Sequence, residues 1–177
     1  FVEASFVSAS FKSAKLELVN FKRANLSCTS FIVAKLTRAN LEEAKIDGAD
    51  FTGAKLDFAQ LTKLCLRDAN FNRAQFIHAT MIACDCAGIS LSKANFSSAN
   101  LENADFTGSS LPDVDFADAN LKGAKLADIR WPRANLRKAD LRGAALHMGS
   151  TRTGMVTRGD GRGAARAVWR TDRVQTP

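Results

Sequence analysis

Tyrosine is absent from this 177-residue chain, histidine and tryptophan each occur twice, and proline three times. Its apolar runs are short and interrupted by polar residues, so nothing in it reads as a membrane-spanning helix or a secretory signal. The two histidines, His78 and His147, lie outside any motif that sets a nucleophile beside a base, so no catalytic residue is expected and the chain does not read as an enzyme. With tyrosine missing and most phenylalanines committed elsewhere, few aromatic platforms remain for stacking the bases of a single strand. The four cysteines form no disulfide framework. Cys84-Asp85-Cys86 has the look of half a metal site, but a second ligand pair is missing, so core packing is the favoured reading and no metal or cofactor is expected. Cys28 and Cys65 point outward from distant stretches. This usage suits a reducing compartment, and a cytoplasmic location is expected.

What the chain does have is a period. From Phe1 to Leu146 a large apolar residue returns every five positions without an insertion or deletion: fifteen Leu, eleven Phe, and Ile46, Met81, Cys86 and Trp131. Two residues before these centres the residue is Ala in twenty-one cases, from Ala4 to Ala144. Internal repetition outranks local propensity. A strict five-residue spacing drifts around a helix surface, whereas in an extended chain residues two apart share a face. Ala and the centre therefore point inward together. Three residues separate a centre from the next Ala, which breaks the alternation and forces a corner in every unit. Gly48, Gly53, Gly88, Gly108, Gly123 and Gly143 each lie two after a centre, and Pro112 and Pro132 one after. Pro then Gly at the middle of a turn is the type II preference.

Phenylalanine centres recur at twenty: Phe11, Phe31, Phe51 and Phe71 form one column, Phe76, Phe96 and Phe116 another. Glu3, Arg23, Glu43 and Lys63 alternate in sign at the same interval, which is favourable between strands stacked about 4.8 Å apart. Four units per coil predicts a four-sided, all-β solenoid of about seven coils, roughly 35 Å long at that spacing, over residues 1–148. Between Leu64 and Ile89 larger residues take the small position while Met81 and Cys86 replace Leu or Phe, read as size compensation within the core. Residues 149–177 form a Gly/Arg-rich basic tail, either disordered or containing a short helix over Ala164–Arg170 whose Trp169 caps the solenoid. The chain opens on a centre with no cap, so preceding residues or a partner are expected to cover that end, and end-to-end self-association through it is open.

The units Ala24-Asn25-Leu26, Ala49-Asp50-Phe51, Ala94-Asn95-Phe96, Ala104-Asp105-Phe106 and Ala139-Asp140-Leu141 resemble the pentapeptide-repeat family, whose pattern is Ala, then Asp or Asn, then Leu or Phe, then two free residues. The resemblance covers about five-sixths of the chain. It implies a right-handed quadrilateral β-helix. Some members modulate type II topoisomerases by imitating duplex DNA with an acidic surface.

Charge argues against that imitation here. Net charge is +3 over residues 1–73, −4 over 76–129 and +8 from Arg130 onward, +7 in all. Function then has two main readings. One is a scaffold or protein-interaction module, with an outward patch of Leu18, Arg38, Phe58, Ile77 and His78 meeting an unidentified protein partner. The other is a polyanion or nucleic-acid binder. It would act through the Lys15, Lys35, Lys55 column or through Arg130, Arg133, Arg137, Lys138 and Arg142.

Overall fold

The computed structural model describes residues 1–146 throughout and the backbone of two strands further on, β1 (Gly154–Gly159) and β2 (Ala165–Arg170). Parallel bridges link residues twenty apart along the repeat, with two exceptions taken up below, as in Asn20 to Asn40 and Asn40 to Gln60. Each coil is thus four five-residue units, and each unit supplies one bridged residue, the one before its centre.

The backbone satisfies itself by a fixed rule. The N–H of centre Phe21 donates to the Asn40 carbonyl of the next coil at 2.8 Å, and that of Arg23, two further on, to Glu42 at 3.0 Å. Asn40 donates back to Val19 at 2.9 Å, and Ala24 closes the turn onto the Phe21 carbonyl at 2.9 Å. The second residue after the centre carries positive φ in units with glycine there (Gly48 +68°) and without it (Arg23 +57°, Val33 +51°). With a three-residue closure this defines the expected type II corner. Among the described residues, twenty-two non-glycine positions hold this left-handed conformation, which L-residues avoid when isolated. Ladder bonds such as that of Arg23 hold most of them there.

One N–H per unit, on the residue just after the centre, has no place in this scheme. In thirteen units the Asn or Asp before the centre fills it: Asn95 Oδ1 accepts the Ser97 N–H at 2.8 Å and Asp50 Oδ1 that of Thr52 at 2.9 Å. Where that residue is Gln75 or Ser90, Asp57 and Asn72 of the preceding coil accept the Ile77 and Ser92 N–H instead. Pro112 and Pro132 occupy the same position, where the missing N–H costs nothing.

The core is a continuous stack from Phe21 to Leu126 in which every centre is buried. Phe31, Phe51 and Phe71 stack face to face with centroids 4.7 and 4.6 Å apart, and Phe76 and Phe96 do so at 4.7 Å. Burial falls off at both ends. Phe6, Phe11 and Leu16 are half-buried, as are Leu136 and Leu146, and Phe1 is 61% exposed. Thr29 and Ser109 replace Ala inside and are satisfied by donating to the Phe6 and Cys86 carbonyls, both at 2.7 Å.

Two expectations need correction. The large residues at Leu64 and Ile89 are not fully compensated. In their columns they sit against Ala44 and Ala69, and the adjoining bridges, Cys65 to Lys45 and Ser90 to Asn70, are not made. The Gly48 N–H reaches Asp68 O at 3.1 Å in place of the Arg67 carbonyl, and Asp68 is the single corner residue among 1–146 without positive φ. Extra bulk on the small-residue side wedges neighbouring coils apart. The second correction concerns Ala165–Arg170, which is strand and not helix, paired antiparallel with Gly154–Gly159 from Gly154 opposite Arg170 to Gly159 opposite Ala165. Val168 and Trp169, a β-branched and an aromatic residue side by side, favour a strand over a helix. The capping role of Trp169's side chain lies outside the described residues.

Candidate functional site

Five-residue units stacked every twenty residues turn sequence columns into physical ones. Leu18, Arg38, Phe58 and His78 all occupy the positive-φ corner position of the same edge in successive coils. This conformation aims their side chains outward: Leu18 is 70% and Phe58 45% exposed, and His78 is exposed. Phe58 is held between its neighbours. The His78 ring stacks on it with centroids 4.9 Å apart and planes 21° from parallel. The Arg38 guanidinium carbon lies over the ring, 5.7 Å from its centroid, within cation–π range. Ile77, half-buried beside His78, is anchored by the bond from its N–H to Asp57. The structure therefore brings Arg38, Phe58 and His78 into contact, with Leu18 at the end of the column.

The basic candidates divide. Lys15, Lys35 and Lys55 are bridged in sequence, all exposed, and none takes part in an ion pair among the described residues. The C-terminal set is different. Arg133 makes a two-pronged bond to Asp113, Arg142 one to Asp140, and Lys138 lies 4.0 Å from Asp118. Among the described residues, Arg130 and Arg137 have no such acid. Asp113 and Asp118 belong to the acidic belt, in which Asp85 also meets Arg67 at 2.7 Å and Asp105 meets Lys125 at 3.1 Å, whereas Asp140 lies in the basic segment itself. The belt and the basic coils thus neutralise each other in part, through Arg133–Asp113 and Lys138–Asp118, which weakens both the DNA-imitating and the polyanion readings of this half. Hydrogen bonding from Arg133 holds the Asp113 carboxyl below its usual range, and Arg142 does the same more strongly to Asp140.

Sequence columns anticipated the pair Arg23–Glu3, at 2.6 Å, but Glu43 and Lys63, in the wedged region, form none. Cys84 and Cys86 are buried. The Cys84 thiol donates to the Leu61 carbonyl at 2.9 Å, and burial pushes it up to about 12, so it is an inert core thiol. Val33, 51% exposed at a corner, is an outward apolar residue adjoining Gly53 that lies apart from the Phe58 column. His147 lies outside the described residues. Among those described, no helix is long and apolar enough to cross a membrane.

A corner every five residues, a bridge every twenty and an Ala-lined core define a pentapeptide β-solenoid. The model described as pentapeptide repeats (8 copies) matches residues 3–33 and 34–73, and that of a pentapeptide repeat region matches residues 60–131. The chain belongs to the pentapeptide-repeat family. It is similar in structure to a trypsin-treated variant of QnrB1, a plasmid-mediated fluoroquinolone resistance protein, with 16% identity over 82% of this chain and 79% of that one and a TM-score of 0.55. That likeness bears on the fold alone. HetL, a pentapeptide repeat protein involved in heterocyst differentiation regulation from the cyanobacterium Nostoc sp. strain PCC 7120, is 26% identical over 81% of this chain and 72% of its own, with a TM-score of 0.39. Rfr23 from the cyanobacterium Cyanothece 51142 is 20% identical over 80% of this chain and 86% of its own, with a TM-score of 0.31. No curated protein matches.

Proposed function

We propose that this chain is a right-handed quadrilateral β-helix of about seven coils that serves as a scaffold, turns over no substrate, and binds a protein partner through Leu18, Arg38, Phe58, Ile77 and His78. The observation that carries this reading is the Phe58 ring, exposed at a corner yet fixed between Arg38 and His78. An aromatic ring already immobilised loses little side-chain entropy on binding, and aromatic and Arg residues are the usual energetic anchors of interfaces. Phe58→Ala should abolish recovery of the partner in pull-downs from the native host while shifting the thermal midpoint little, since the side chain is outside the core. Recovery at the wild-type level from the substituted protein would make the column ordinary surface.

A further inference from the structure

We infer that the partner segment docking on this column is an acidic amphipathic α-helix lying along the solenoid axis, an inference that rests on the interaction reading above. The pairing rule of the surface points to it. Several stacked cations elsewhere meet acids one coil away, as in Lys22–Glu42, Lys125–Asp105 and Arg133–Asp113. Lys15, Lys35 and Lys55 break that rule: three lysines stand in register in bridged coils, the longest run of one sign in any column of residues 1–146. Like charges so placed repel, and a chain selected only for stability would interleave an acid, as this one does with Glu42, Asp105 and Asp113.

The lysine column lies three residues before the Leu18, Arg38, Phe58, His78 column, on the same side of each coil. Glu17 and Asp57 stand between them, and Asp57 is engaged with the Ile77 N–H. The strip keeps four cations, Lys15, Lys35, Lys55 and Arg38, against those two acids. It therefore offers a cationic rail beside an apolar one.

Spacing selects the occupant. Coils repeat at about 4.8 Å along the axis. Acids three and four residues apart on a helix repeat at about 4.5 and 6 Å along its axis, so successive carboxylates can face successive lysines. An extended chain presents same-side residues at roughly 6.7 Å and loses step. The backbone ladder is consumed by coil stacking along this face, which leaves no edge for an added strand. A single-stranded nucleic acid would need an open aromatic face, but both faces of Phe58 are covered, by Arg38 and by His78. The exposed rim of Phe58 and the Leu18 side chain suit aliphatic residues on the helix's second face.

The test uses the full chain and a fluorescent synthetic peptide of about 21 residues, with Glu at helical spacing on one face and Leu and Phe on the next, followed by fluorescence anisotropy. A scrambled peptide of the same composition is the control. The striped peptide should bind at least tenfold tighter than the scrambled one. Lys35→Glu should weaken it at least tenfold while raising the protein's thermal midpoint, because it places an acid between Lys15 and Lys55; Phe58→Ala should weaken it comparably. Binding lost with Phe58→Ala but unchanged with Lys35→Glu would leave the apolar column standing and overturn the acidic helix. Equal binding of the two peptides, or displacement of the striped peptide by an oligothymidylate of the same charge, would also overturn it. Indifference to both substitutions would remove the column as well.

Discussion

Replacing Asn95 by Ala probes the feature that distinguishes this repeat from a merely amphipathic one. Asn95 Oδ1 accepts both the Ser97 N–H at 2.8 Å and the Ser97 hydroxyl at 2.6 Å. That N–H is the single donor of its unit that no backbone carbonyl takes. Truncation leaves it to partial hydration in a half-buried corner, a loss comparable to that of a helix N-cap, about 1 kcal/mol. In a chain of this length that is about 3 °C in the thermal midpoint. The same column supplies its own control. Gln75 stands one coil earlier, and the N–H it would have capped, that of Ile77, goes to Asp57. Gln75→Ala should therefore cost nearly nothing, whereas Asp57→Ala should cost about as much as Asn95→Ala. Urea denaturation followed by circular dichroism gives all three differences on one scale. If Asn95→Ala proves as harmless as Gln75→Ala, the polar position of the repeat owes its identity to something other than the unpaired N–H.

Ala94→Leu should destabilise by roughly 1–3 kcal/mol in the same assay, because Ala94 is buried on the tight side of the core and the added bulk must part neighbouring coils. An unchanged midpoint would contradict the packing described. Acid titration should reveal Asp113 and Asp140, whose carboxyls are held low by Arg133 and Arg142. A depressed folded-state pKa contributes stability above the ordinary carboxylate range that is lost as pH falls through the folded value. Thermal midpoints measured from pH 6 to pH 2 should decline on the acid side, and the decline should shrink in Asp113→Asn.

Much of the fold was legible because five-residue spacing leaves little freedom. Ala39 and Leu41 must share a side, a corner must follow, and Phe31 recurring at Phe51 and Phe71 sets the coil at twenty. Phe58 and His78 could be placed in contact on that arithmetic alone. The capping role of Asn95 and its relatives was not legible, because periodicity says which way a side chain points but not which N–H lacks a partner. Nor was the wedge at Leu64 and Ile89. Volume along the chain suggested compensation, whereas their columns oppose each to an alanine, Ala44 and Ala69, in the neighbouring coil. The partial neutralisation of the acidic belt by the basic coils required the pairing Arg133–Asp113 to be traced across coils, where net charge by segment had kept the two residues apart.

Cross-linking from within the column tests the functional assignment most directly. A benzophenone side chain installed in place of His78, and separately in place of Asp118 two coils further along the same edge, would be irradiated in the native host and adducts detected on gels. The interaction reading predicts a discrete adduct from position 78 and none from position 118, where Lys138 faces Asp118 and no apolar neighbour extends the strip. Adducts of equal yield from both positions, or from position 118 alone, would contradict it.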